Sequence, residues 1–579
     1  MLVFLAPLEA GRRPVLPQID LPHPYYYREM YLPQLTSGPS SVSWAPDSKE
    51  VVFSMAGSLW RQKLDSGQAV QLTDGDGYDY QPDWSPDGKS IVYVSYQKDA
   101  MELWLLDVAS GRTWQLTAGG AVNLEPRWSP DGQRIVFVST SFNGRFHVFR
   151  ADMKDGKLAN AVRLTGETRS DLPRYYYSQY DMEINPVWTR DGLEILFLSN
   201  KGHIHGTGGF WRMPAEPGAA AREIHYEETN WKARPDFSPD GSRMVYSSYL
   251  GRQWHNLWVM PARGGDAFPL SYGDWDETNV RWSPDGKRLA FISNQHGNTR
   301  IGFQYVVSAE RTELRTLSRQ FLKTHAKLRI SLADPHRTAP ARITITDAKG
   351  RSYGPEGCWL YADDGFDRQE RPFETHYFYG NSAGGELEVP AGLTTITAVL
   401  GYANHVETET VDVPAQGTTV AIAERPLPPL DDREGRWISA DLHVHRNYGG
   451  TYKNDGTTLA EQAAAEGLDI VNNLVVNKEQ RFPDLEPSEQ CSYCQVKDPE
   501  QQIIEGQEFH TSYWGHRGIL HLGHKLILPG YSGYPNTAAA SLFPMNLDVY
   551  DMAHARGALV GAVHPFDRVP DPFASPQER

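Results

Sequence analysis

Trp84-Ser-Pro-Asp-Gly88, Trp128-Ser-Pro-Asp-Gly132, Phe237-Ser-Pro-Asp-Gly241 and Trp282-Ser-Pro-Asp-Gly286 share one five-residue pattern. Trp188-Thr-Arg-Asp-Gly192 and Trp44-Ala-Pro-Asp47 are looser copies, which brings the pattern to six occurrences at intervals of 40 to 60 residues. Repetition on that scale is the mark of a stacked or radial repeat architecture. Each copy precedes an apolar run such as Ile91-Val-Tyr-Val-Ser95. Proline presets φ, Asp-Gly supplies the turn, and the β-rich run returns as the next strand, so each copy predicts a hairpin.

A second echo follows at about half a repeat. Leu59-Trp60 goes with Leu72-Thr73, Leu103 to Asp107 with Gln115-Leu-Thr117, and Leu257 to Pro261 with Pro269-Leu-Ser271. Two hairpins per repeat make four strands, and four-stranded units that cannot bury both faces alone stack radially. Residues 24–318 are therefore expected to form a six-bladed β-propeller, with residues 1–23 as a leader and residues 25–35 supplying the outer strand of the last blade. Motif and period resemble the TolB-like (PD40, WD40-related) propeller repeat. That resemblance implies a binding or shielding platform, commonly exported to the bacterial envelope, and does not by itself choose a function. The Tyr175-Tyr-Tyr177 and Tyr180 insertion reads either as packing between blades or as a contact surface for a protein partner.

Composition sets limits. The chain has 579 residues, long enough for several cores. Its net charge of −16 speaks against nucleic acid as a partner, because phosphate binding needs clustered Lys and Arg. No apolar run approaches the length of a membrane-spanning helix. The N-terminal Met1 to Leu8 stretch is only briefly apolar and is followed, not preceded, by Arg12 and Arg13, a poor match to a secretory signal. Cys491 and Cys494 have C-x-x-C spacing without a second pair, a weak zinc signal.

After Ser318 the turn pattern stops. Alternating segments such as Ala341 to Thr346, Glu386 to Pro390, Thr394 to Leu400 and Thr418 to Ala423 predict a small β-sandwich over residues 319–425. It resembles the carboxypeptidase regulatory-like modules. Residues 426–436, opening with Pro426-Leu-Pro-Pro429, read as a linker.

The chemistry lies in residues 437–579, starting with Ala440-Asp441-Leu-His443-Val-His445. Histidines at i and i+2 of a strand point to one side, as two ligands of one metal must. A helix over residues 458–467, buried strands at Asp469-Ile-Val471 and Gly506-Gln-Glu508, and a last one at Gly561 to His564 predict an α/β segment with ligand-type residues at strand ends. This order resembles the PHP (polymerase and histidinol phosphatase) metallohydrolases, in their carbaryl-hydrolase-like (CehA/McbA) branch. The resemblance implies metal ligands at His443, His445, Glu508, His516 and His564, with Glu508 bridging and, with His564, catalytic. Asp441 and His510 are expected to support the ligands, while His510, His521 and His524 also compete for the place of His516. One to three divalent ions (zinc, manganese or iron) are implied, acting on a small ester, amide or phosphoester substrate. Such ions suit imidazole and carboxylate donors and bring the pKa of water near neutrality.

Two departures stand out. The family's Thr-Asp-His is replaced by Leu474-Val-Val-Asn-Lys478, leaving Lys478 and Glu479 as the nearest polar substitutes, and the closing Asp-x-His strand is absent. The distorted β/α barrel is therefore expected to be incomplete. The fold class is multidomain: all-β propeller, β-sandwich and PHP-like α/β segment. The rival readings are a non-catalytic propeller scaffold with a degenerate metal domain and an amidohydrolase-superfamily enzyme. A serine peptidase is disfavoured, since no G-x-S-x-G elbow follows the propeller.

Overall fold

The computed structural model describes residues 35–97, 100–166, 168–172, 180–203, 208–229, 232–250, 254–332, 339–362, 376–380, 386–428, 437–447, 451–476, 484, 502–509, 515–522, 526–527 and 543–563. These are mostly β-structure, with two α-helices among them, and no described helix is long and apolar enough to cross a membrane.

Each repeat folds as predicted from its turn. In the second, Gly88 takes the left-handed conformation (φ +76°) and donates to the Ser85 carbonyl at 3.0 Å. Asp87 accepts from Ser85 Oγ (2.7 Å) and the Lys89 N–H (3.0 Å). Those bonds favour the charged form and hold the Asp87 carboxyl below its ordinary range. The result is six sheets of four antiparallel strands in propeller-like arrangement, with first strands at Pro39–Trp44, Tyr78–Trp84, Asn123–Trp128, Glu183–Trp188, Asp236–Phe237 and Glu277–Trp282.

Three positions before the turn aromatic, four of those first strands hold a non-glycine residue in the left-handed region, Gln81, Glu125, Asn185 and Asn279, and Arg234 does the same just ahead of Asp236–Phe237. The ladder shifts register at four of these five places. A bulge there frees a backbone N–H that needs an acceptor. The preceding blade supplies it: Gln81 N donates to Ser41 Oγ (3.1 Å), Glu125 N to Gln81 Oε1 (2.8 Å), Asn185 N to Glu125 Oε2 (2.5 Å) and Arg234 N to Asn185 Oδ1 (2.9 Å). Arg234 Nη1 donates to Asn279 Oδ1 (3.3 Å), and Asn279 Nδ2 returns to the Ser40 carbonyl (3.2 Å), completing the circle. Beside this ring Arg127 joins two other blades, with Nε 3.2 Å from Asp83 and Nη2 2.7 Å from Asp236.

The ring closes differently from expectation. The last blade takes its own fourth strand, Arg311–Glu313, and residues 25–34 lie outside the described residues. The chain then adds Ser318–Gln320 in parallel to Gln68–Gln71 of the first blade. The seam uses the one turn that lacks glycine: Ser48, at φ +60°, accepts Asp285 N on its hydroxyl (3.0 Å) and Arg288 Nη2 on its carbonyl (2.7 Å).

Beyond the propeller, a three-stranded sheet (Glu386–Pro390, His325–Leu332, Thr418–Ile422) faces a five-stranded one that includes Ala341–Asp347 and Gly392–Val399. Their inward residues, among them Leu328, Ile343, Phe378, Val389 and Ile396, share one core. The buried Arg351 anchors this unit to the first blade, donating to the carbonyls of Gly57 (3.2 Å) and Gly75 (2.9 Å).

The C-terminal residues form a five-stranded sheet in the order Ala440–Val444, Ile470–Val476, Gln502–Phe509, Arg517–Leu520, Leu559–Ala562. The first three strands are parallel, and Arg517–Leu520 is antiparallel to both its neighbours. This corrects the barrel expectation: the described residues make an open mixed sheet, because a reversed strand cannot continue the strand–helix–strand winding that closes a parallel barrel. Helix Gly456–Glu466 starts at Asp455, which caps Thr458 N (2.9 Å), and ends at Gly467 (φ +72°). A side chain at Gly467 would also meet the Gly401 backbone at 3.2 Å, where the helix end abuts the sandwich.

Arg127 is the cation in direct contact with two buried carboxylates, Asp83 and Asp236. Arg127→Met is expected to lower the stability of the protein by about 3–5 kcal/mol, read as an earlier urea midpoint. An unchanged midpoint would contradict the role given to it.

Candidate metal centre

The face of the C-terminal sheet a side chain occupies follows from strand alternation. Val471 packs with Leu459 and Ala463 of the first helix, and Phe509 with Val549 and Ala553 of helix Asn546–His554. Gln507, on the Phe509 side, exchanges two hydrogen bonds with the Ile527 backbone (2.9 and 2.7 Å). Glu508 therefore stands on the opposite face, level with Val476. His443 alternates with Val444, which packs toward the first helix, and so shares the face of Glu508.

There the side chains converge. His443 Nε2 lies 3.0 Å from His445 Nε2 and 3.2 Å from Glu508 Oε2, and His445 Nε2 is 2.8 Å from the same oxygen. The other carboxylate oxygen, Oε1, meets His516 Nδ1 at 2.9 Å. Glu508 is buried, which raises a carboxyl pKa, but the contacts from His443, His445 and His516 outweigh that and hold it well below the usual carboxylate range. Burial lowers His445, and its contact with Glu508 more than reverses this, leaving it raised.

The tautomer of His445 is fixed by its other neighbour. Nδ1 sits 2.8 Å from the Leu474 carbonyl, which can only accept, so Nδ1 carries the hydrogen. Nε2 is then the nitrogen with the lone pair in the neutral ring, directed at a carboxylate oxygen and a second imidazole nitrogen. A proton on one of these nitrogens or a cation among them satisfies such a contact, and His443, His445 and Glu508 are close enough together to hold one metal ion. Two imidazoles and a carboxylate suit a borderline divalent metal.

Of the residues singled out in the sequence, the structure thus brings together His443, His445, Glu508 and His516. Asp441 holds the main chain, accepting the His443 N–H at 3.0 Å, and the orienting contact to an imidazole comes from Leu474. His510, His564, Lys478, Glu479, Cys491 and Cys494 lie outside the described residues. His564 directly follows Val563, whose N–H donates to the His516 carbonyl (3.4 Å).

A pair the sequence reading missed lies next to the histidines. Arg446 and Asp484, both buried, approach to 3.5 Å, and Asp484 also accepts the Asn447 N–H at 3.3 Å. Asn447 and Asn454 then close the loop with reciprocal bonds of 3.1 and 2.8 Å. The position of Arg446 immediately after H-x-H was the available signal; nothing marked Asp484 as its partner.

Comparison with known proteins bears on the propeller. A family model described as the TolB beta propeller domain (PD40) matches residues 28–179. An uncharacterized peptidase, YuxL, of Bacillus subtilis is 35% identical over 89 residues, 14% of this chain and 13% of its own length. A dipeptidyl-peptidase 5 of Porphyromonas gingivalis is 27% identical over 279 residues, 44% of this chain and 37% of its own. The chain therefore spans less than half the length of these curated relatives. Among solved structures, TolB from Acinetobacter baumannii aligns with a TM-score of 0.38 at 20% identity, covering 50% of this chain and 67% of that one.

Removing one partner of a buried pair strands the other charge. Arg446→Met is expected to destabilise the C-terminal sheet by about 3–5 kcal/mol, seen as faster amide hydrogen exchange in Ile470–Val476. Unchanged exchange there would show that the pair does not support the sheet.

Proposed function

We propose that the chain is a metal-dependent hydrolase of ester, amide or phosphoester bonds, of the PHP type, with the propeller as its binding or gating platform. The observation that carries this reading is the meeting of His443 Nε2, His445 Nε2 and Glu508 Oε2 within about 3 Å of one another. His443, His445 and Glu508 would hold a zinc, manganese or iron ion. Glu508 offers its second oxygen toward His516, the disposition a bridging carboxylate needs if a further ion is held. A bound divalent metal supplies Lewis acidity and brings the pKa of water near neutrality. The protein's own part is orientation: the Leu474 carbonyl fixes the His445 tautomer, Asp441 fixes the strand beneath His443, and Glu508 is kept ionised. His564 is proposed to act with Glu508 on the substrate.

The matching peptidases support hydrolysis as the class of reaction. They do not bear on the metal or the substrate. In this proposal the chain comprises a propeller at 24–318, a sandwich at 319–425, a linker at 426–436 and the metal domain at 437–579.

The test is turnover of 4-nitrophenyl acetate, a 4-nitroanilide and bis(4-nitrophenyl) phosphate, before and after dialysis against chelator. At least one should be hydrolysed, with activity lost to the chelator and restored by zinc, manganese or iron. Groups that merely support metal ligands are worth about 10- to 100-fold, so His445→Ala, which removes a ligand, should cost about 100-fold or more in kcat/KM. Chelator-resistant turnover that survives His445→Ala and is blocked by a serine-directed fluorophosphonate would contradict the proposal and favour a serine peptidase.

A further inference from the structure

A cleft of about 600 Å³ opens where the last blade, the first blade and the sandwich meet, within the range of small-molecule sites, which favour domain interfaces. Its floor is apolar, with Phe53, Met55 and Ile301, and Trp359 forms one wall. Three arginines, Arg300, Arg315 and Arg319, line it against two glutamates, Glu313 and Glu356, which leaves one positive charge in excess.

The charges are unequally committed. Arg300 pairs with Glu313 at 3.1 Å, and His296 meets the other oxygen of that carboxylate at 3.2 Å. Arg319 has its ion pair with the exposed Glu356, at 3.5 Å, and its guanidinium lies over the Trp60 ring, 6.0 Å from the centroid; its buried Nε has no hydrogen-bond partner among the described residues. Arg315 makes no ion pair among the described residues, yet its backbone is fixed: the buried Gln62 donates to the Arg315 carbonyl (2.8 Å) and accepts from Thr316 Oγ1 (2.7 Å).

The upper wall is equally well built. Asn298 Nδ2 reaches the carbonyls of Gly357 (3.3 Å) and Cys358 (3.2 Å), and Ser37 donates to Cys358 as well. Trp359 is held by stacking on Tyr452, with ring centroids 5.2 Å apart and planes 3° from parallel. Tyr452 in turn exchanges hydrogen bonds with the Leu360 backbone (2.8 and 3.0 Å). The walls are thus in place before any ligand arrives, which removes much of the ordering cost of binding.

We propose that this cleft binds a small organic monoanion, a carboxylate on a flat apolar body. The carboxylate goes to Arg315 and Arg319, whose planar guanidinium forks match it in shape, and the body lies along Trp359 over Phe53 and Met55. A single excess charge suits a monoanion better than a phosphate dianion. The inference rests on the cleft alone and stands or falls independently of the metal centre.

The experiment is saturation-transfer NMR of 2-naphthoate with the full chain, and of the neutral 2-naphthalenemethanol as its control. Saturation transfer to 2-naphthoate is expected, with the alcohol binding about tenfold more weakly, because it lacks the charge-assisted bonds. Arg315→Gln and Arg319→Gln should each weaken 2-naphthoate about tenfold with an unchanged melting temperature. Should Arg319→Gln fail to fold, Arg315→Gln decides, since that side chain is exposed. No transfer from the native protein, equal affinity for acid and alcohol, or an affinity that Arg315→Gln leaves untouched would each overturn the assignment.

Discussion

Around the propeller, four inner strands break their ladders just before the turn aromatic, and each break leaves a backbone N–H to be satisfied. An unmade hydrogen bond of this kind costs about 1–3 kcal/mol when buried, and a non-glycine residue in the left-handed region adds about 1–3 kcal/mol more. Gln81, Glu125, Asn185 and Arg234 meet the first cost by donating to the side chain one blade behind. Four of the six blades thus lean on their predecessors, and Asn279 ties the last blade back to Ser40 of the first. Arg127 adds a charge tie between blades that are not neighbours.

That ring is the frame on which the remaining sheets hang. The exit strand Ser318–Gln320 leaves along the first blade, and Arg351 fixes the sandwich to the hairpins of the same blade. The sandwich carries helix Gly456–Glu466, with Tyr379 donating to Glu466 at 3.0 Å, and the helix backs the strand that ends in the two histidines. The loop after those histidines returns to the propeller, where Lys453 N donates to the Gly297 carbonyl at 3.0 Å. The segment that carries the candidate centre is thus joined to both the propeller and its attached sandwich.

The turns were legible in the sequence because their chemistry is local: proline, aspartate and glycine act within five residues. The inner ring was not, although Gln81-Pro82, Glu125-Pro126, Asn185-Pro186 and Arg234-Pro235 all sit at one offset from the aromatic. Four different side chains fill that position, united only by what they accept or donate across a blade boundary. His443 and His445 could be paired from spacing, since i and i+2 share a strand face. The Leu474 carbonyl could not, because a main-chain acceptor leaves no mark in the side chains, and Asp484 meets Arg446 from 38 residues away. Motif order also says nothing of strand direction, which is why a barrel was expected where the sheet contains the reversed strand Arg517–Leu520.

Metal-dependent hydrolysis requires that the imidazoles and carboxylate at Glu508 hold a metal ion. Elemental analysis of the purified protein, beside a His443→Ala/His445→Ala double variant of the same fold by circular dichroism, addresses this directly. About one or more equivalents of zinc, manganese or iron are expected in the native protein and their loss in the variant. Native protein that is folded, retains its propeller unfolding transition and takes up none of these metals when they are supplied in excess would contradict a metal centre at Glu508.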